Sequence, residues 1–81
     1  MKDFKHKYQD ENYARLKYLT TFMKEYRLQL GLTQEELAEY AELNRSSVIR
    51  LERGTPVSLL TLFKYASALE LPLTELFLEV D

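Results

Sequence analysis

The chain has 81 residues, no Cys and a formal charge of −2, which indicates one domain and excludes disulfides and thiolate metal sites. Its 46% hydrophobic and 30% charged residues are the balance of a folded chain, not a disordered one. No apolar run reaches membrane-span length and the charged start lacks a signal-peptide core, so no membrane partner is expected and the cytoplasm is the default address.

The acidity is unevenly spread. Residues 1–30 hold seven Lys/Arg against four Asp/Glu, and residues 55–81 hold one against four. Positive charge sits at the start of the chain and again at Arg45, Arg50 and Arg53. An acidic C-terminal end would suppress indiscriminate binding to polyanions.

Residues 1–11 show no periodicity and read as a flexible tail, with a basic arm through Lys2, Lys5 and Lys7, or a segment that docks on a dimer mate, as alternatives. His6 is the single histidine and has no ligand companions, so no metal is expected. From Asn12 to Leu30 the spacing predicts a helix, with Leu16, Leu19, Met23, Tyr26 and Leu30 in one stripe. Arg27 lies at the stripe's edge, Tyr18 and Phe22 form a second apolar face, and Gly31 is the stop.

Thr33 to Gly54 predicts two short helices with a tight joint. Thr33 is a hydroxyl N-cap and Glu36 completes a capping box. Leu37, Ala38 and Ala41 share one face. Asn44 offers a second cap, and Val48 and Leu51 carry the apolar stripe to Gly54. So short a joint forces a steep crossing, which small Ala38 and Ala41 permit: a helix-turn-helix. With Val48 and Leu51 inward, Arg45, Ser46, Ile49, Arg50 and Arg53 face out. Arginine reads guanine edges and neutralises phosphates, and an isoleucine can meet a thymine methyl. The same face also reads as ordinary solvated helix surface.

The run LGLTQEELAEYAELNRSSVIRLERG resembles the Cro/repressor-type (Xre-type) helix-turn-helix of bacterial and phage transcription regulators. The likeness covers roughly Leu19 to Phe77 and rests on Gly31-Leu32-Thr33-Gln34, Leu37-Ala38 and Leu51-Glu52-Arg53-Gly54. It implies that Arg45, Ser46, Ser47 and Arg50 lie on a recognition helix in the major groove. It implies that Gln34 contacts a DNA phosphate; Asn44, Arg53 near the helix end and the backbone near Thr55 are read as further phosphate contacts. It further implies an Arg27–Glu52 pair and a positive φ at Glu42, where the family commonly has Gly.

Beyond Gly54, Thr55-Pro56-Val57 reads as a loop and Ser58 caps a helix running to about Leu69. Its apolar residues wrap more than one side, which suggests a partner surface. Pro72 precedes a last helix, Leu73 to about Leu78, in which Leu76 and Phe77 are expected to close the core. Residues 79–81 read as a second tail.

A Gly-rich phosphate loop and a nucleophile–His pair are both missing from the sequence, so neither an enzyme nor a cofactor is expected. The reading is an all-α five-helix repressor-like domain over residues 12–78, with its motif at 33–54. The resemblance implies a cytoplasmic, nucleoid-associated regulator, repressor in type, that binds double-stranded DNA as a homodimer on a palindromic operator. Surplus apolar surface on Leu60, Tyr65, Leu73 and Leu78 supports the dimer. An antitoxin that also binds a toxin protein is the alternative, and a protein-interaction module without DNA binding is a third.

Overall fold

The computed structural model describes residues 9–78, which form five helices and no strand: α1 (Gln9–Gln29), α2 (Gln34–Ala41), α3 (Arg45–Glu52), α4 (Leu59–Ala68) and α5 (Leu73–Leu78). The expected tails at 1–8 and 79–81 lie outside the described residues. Gln9, Asp10 and Glu11, expected in the first tail, are instead the opening turn of α1. Asp10 and Glu11 favour this, because acidic side chains complement the partial positive charge at a helix N-terminus.

Two of the predicted caps form as read. Thr33 accepts from the Glu36 N–H while the Glu36 carboxylate accepts from the Thr33 N–H, at 3.0 and 2.9 Å. The Ser58 hydroxyl accepts from the Thr61 N–H. Asn44 has the extended backbone of an N-cap, but its side chain makes no cap bond, which corrects the reading of it as a capping side chain.

Helices α1 to α4 all end in the same wrap. A residue in the left-handed region donates three residues back, and its successor donates five back. The pivots are Gly31, Glu42, Gly54 and Glu70, followed by Leu32, Leu43, Thr55 and Leu71, which bond to the carbonyls of Arg27, Ala38, Arg50 and Ala66. Glu42 therefore has the positive φ implied by the resemblance, at 56°. Glu70 repeats it at 55°, unforeseen from sequence.

Met23, Leu37, Val48, Leu51, Tyr65 and Leu76 are the largest fully buried apolar side chains. Phe22 and Tyr26 pack against that core with rings tilted 55° and centroids 6.3 Å apart, within the range favoured by aromatic quadrupoles. Tyr18 and Leu30 are exposed, so the buried stripe of α1 ends on Arg27 instead of Leu30. Leu30 lies beyond the helix, where the chain turns at Gly31. Phe77, expected to close the core, is 52% exposed, and only Leu76 of that pair is buried.

A polar cluster lies inside this core. Arg27 of α1 donates through Nε to Glu52 Oε2 at 2.7 Å and through Nη2 to Oε1 at 3.0 Å. The Tyr65 hydroxyl of α4 donates to Oε2, and the Gln34 amide of α2 donates to Oε1 at 3.1 Å. Arg27 Nη1 reaches the Leu32 carbonyl. One carboxylate on α3 thus receives donors from the three helices packed around it. Burial alone would raise the Glu52 carboxyl, but the bonds from Arg27, Tyr65 and Gln34 outweigh it and hold the carboxyl below its usual range. Burial and the bond to Glu52 push the Tyr65 phenol far above its ordinary value.

The signs of these shifts set the pH window. A lowered carboxyl contributes stability above the unfolded value, about 4.3, which is lost as pH falls through the folded value. A raised phenol contributes stability below about pH 10, lost as pH rises above it. Denaturant stability should therefore hold steady through neutral pH and fall at both ends. Tyr65→Phe should cost about 1.5–3 kcal/mol at neutral pH, as for a bond to a charged group, and reduce the alkaline fall. An alkaline limb identical in the two proteins would contradict this assignment.

Glu42 and Glu70 are exposed residues in a conformation that only glycine adopts without Cβ strain. Glu42→Gly should raise stability by about 0.5–1 kcal/mol, the left-handed penalty less the flexibility glycine adds to the unfolded chain. Thermal melts of the two proteins check it, and a lower midpoint in the variant would count against it.

Candidate nucleic-acid interface

Helix α3 buries Val48, Leu51 and Glu52 and turns its other sides outward. Arg45, Ser46, Arg50 and Arg53 are exposed, as is Asn44 just before them, whereas Ser47 and Ile49 are half-buried. Ile49, read from the helical period as open, is thus partly covered. Two arginines one turn and more apart, with a hydroxyl between, stand on a helix whose back is fixed by the buried carboxylate.

The outward residues fall into two recesses. Ser46, Ser47 and Arg50 line a shallow groove whose other wall is Pro56 and Val57 with Ser58 and Thr61 at the start of α4. Gln34 and Arg45 line a second cleft with Thr33 and Glu35, between the amino ends of α2 and α3. Arg45 lies 3.7 Å from Glu35 in an exposed ion pair, which high dielectric and salt make weak. Arg53 stands apart at the C-cap of α3. Asn44, with no cap bond to make, leaves its amide available at the α3 amino end, where backbone N–H groups and the helix dipole favour an anion.

Thr55 is placed differently from the expectation. Its N–H donates to the Arg50 carbonyl at 3.1 Å as part of the helix-end wrap, so that backbone donor is already used. The groove wall from Pro56 to Thr61 was not read from the sequence as part of the site. Thr55-Pro56-Val57-Ser58 carried the signal, since a proline loop running into a hydroxyl cap places a helix N-terminus beside whatever precedes the loop. Lys17 was missed as well. Its ammonium donates to the Arg53 carbonyl at 3.0 Å and ties α1 to the exit of α3.

Residues 23–76 match the family model described as Helix-turn-helix. The chain belongs to the Xre-type helix-turn-helix family. Among solved structures, this helix-turn-helix chain is similar to the restriction-modification controller protein C.AhdI from Aeromonas hydrophila. The two are 42% identical with a TM-score of 0.72, over 79% of this chain and 98% of that one. A curated relative, an uncharacterized HTH-type transcriptional regulator of Methanothermobacter thermautotrophicus, is 50% identical over 36 residues, 44% of this chain. The matched stretch spans about half the length of that relative, 52%. The family match begins at Met23, so the first two-thirds of α1 lie outside it.

Gly54 sets the direction of the chain from α3 into the groove wall. Its φ is 82°, and a Cβ there would lie 2.7 Å from Lys17 Cδ and 3.3 Å from the Lys17 Cα. The side chain can move aside, but the Cα belongs to the α1 backbone. Gly54→Ala should cost about 1–2 kcal/mol from backbone conformation alone, with the Lys17 contact adding to it. Chemical denaturation measures this, and an unchanged midpoint would mean that the loop takes another path.

Proposed function

We propose that this helix-turn-helix chain is a sequence-specific DNA-binding transcription regulator, repressor in type, acting as a homodimer on a palindromic operator. The observation that carries the reading is the outward side of α3. It offers Arg45, Ser46 and Arg50 to a groove while Val48, Leu51 and Glu52 anchor the opposite side. Arg45, Ser46, Ser47 and Arg50 are assigned to the major groove, the arginines to guanine edges. Gln34 and Asn44, at the amino ends of α2 and α3, are assigned to phosphates, as is Arg53. Thr55 keeps at most a side-chain role, because its N–H is taken. The exposed acids of α2 and the acidic C-terminal end weaken binding to arbitrary DNA and leave selectivity to α3. The Methanothermobacter relative is a transcriptional regulator and the Aeromonas neighbour a controller protein, which supports the regulator reading.

The dimer rests on apolar surface that one copy leaves in water. Leu59, Leu60 and Phe63 of α4 are 62%, 60% and 40% exposed, and Phe77 and Leu78 of α5 are 52% and 84% exposed. Tyr65, expected on this face, is instead buried on Glu52, because its hydroxyl satisfies the carboxylate that α3 places inside. A toxin partner would use the same apolar face. A second copy is the simpler occupant, since it also gives the two-fold symmetry of a palindrome with half-sites about 34 Å apart.

Binding to an operator selected from random DNA, with single-base variants over a salt series, tests the reading. Arg50→Ala should cost about 1–3 kcal/mol and relax preference at one base pair. Gln34→Ala should weaken all sequences alike with little change in salt slope, and Arg53→Ala should flatten that slope by about one unit. A uniform loss from Arg50→Ala with base preference intact would remove α3 from the reading role.

Sedimentation at micromolar concentration should give a dimer that Leu60→Glu converts to a folded monomer. A wild-type monomer that binds DNA one-to-one would exclude the dimer.

A further inference from the structure

Gln34 opens α2 half-buried, and its amide nitrogen donates to Oε1 of Glu52. A side-chain amide can turn over and present either oxygen or nitrogen to a neighbour. Against a buried carboxylate only the nitrogen end is compatible, since an amide oxygen there would face a second acceptor. The carboxylate itself is immobilised: Arg27 holds both of its oxygens and Tyr65 holds Oε2. One N–H of Gln34 is therefore spent on Glu52, and the second has no acceptor among the described residues. Gln34 lines the cleft that Thr33, Glu35 and Arg45 also line.

We infer that Glu52 is a positioning residue for DNA phosphate: it fixes the Gln34 amide so that the remaining N–H is already set before DNA arrives. The inference rests on the DNA-binding reading above and deepens it. A free glutamine on a helix surface samples several rotamers and must be ordered on binding, at a cost that lowers affinity. Glu52 removes that cost without touching DNA. Tyr65, by fixing the other oxygen of the same carboxylate, brings α4 into the same setting.

The test is a double-mutant cycle on operator affinity with Glu52→Gln and Gln34→Ala. Glu52→Gln alone should weaken binding by about three- to tenfold, the range that one hydrogen bond commands. In the Gln34→Ala background it should produce no further loss, because the group it positions is gone. If Glu52→Gln does not fold, Tyr65→Phe takes its place in the cycle. An equal loss in both backgrounds would overturn the inference and leave Glu52 a purely structural residue. Side-chain amide relaxation in the DNA-free protein gives a second reading, independent of DNA. The Gln34 amide should approach the order of rigid backbone, about 0.85, and lose order in Tyr65→Phe. A Gln34 amide as mobile as an exposed one would equally overturn the inference. Failure of the wild type to bind any DNA would instead remove the regulator reading, and the amide order would still decide whether Glu52 fixes Gln34.

Discussion

A carboxylate buried at position 52 constrains almost everything else in the domain. Taking one charge out of water is opposed by several kcal/mol unless a counter-charge and hydrogen-bond donors replace the lost solvent. Here Arg27, Gln34 and Tyr65 supply them, from α1, α2 and α4 respectively. The donors and the acceptor are useless to one another unless the four helices meet in a single arrangement. A core of Leu, Val, Met and Ala can tolerate small shifts of packing, but a carboxylate with donors on three sides cannot. The apolar core supplies most of the driving force, and the polar cluster restricts which packing it can adopt.

The same group joins fold to site. Glu52 lies at the end of α3, and its neighbours on the opposite side are the residues offered outward. Fixing its carboxylate fixes the rotation of α3 about its own axis, which decides how Arg45, Ser46 and Arg50 are turned outward. At the other end of the cluster, Gln34 lies in the cleft with Arg45. The exit of α3 is held separately, by the Lys17 ammonium on the Arg53 carbonyl and by a glycine that leaves no room for a side chain. The carboxyl end of an eight-residue helix is therefore fixed by groups from outside it, and so short a helix has little stability of its own.

Much of this was legible in the sequence because it is local. Thr33 with Glu36, Ser58 as a cap, and Gly31 and Gly54 as stops are local patterns, and each forms. Ala38 and Ala41, read as the small residues beside the short joint, are both buried. The Arg27–Glu52 pair came from family resemblance and not from spacing, since residues 25 positions apart carry no local signal. What was missed depends on the third dimension. Tyr65 looked like surplus surface because helical period alone cannot show that its hydroxyl meets a carboxylate on another helix. Phe77 looked like core because it neighbours Leu76, yet α5 is too short to bury two sides. The groove wall from Pro56 to Thr61 joins Arg50 only after the chain has turned at Gly54, and Glu70 resembles an ordinary surface acid until its φ is seen.

The most direct measurement is a stability cycle on the buried pair, with Arg27→Met, Glu52→Leu and the double variant compared by denaturant unfolding. Each single change should cost about 3–5 kcal/mol, because each leaves a charge buried without its partner. The double variant should lose less than the sum by about 2–3 kcal/mol, since it leaves no unpaired charge behind. Additive losses, or single changes costing no more than a surface ion pair, would contradict the account that this carboxylate and its donors hold the helices together.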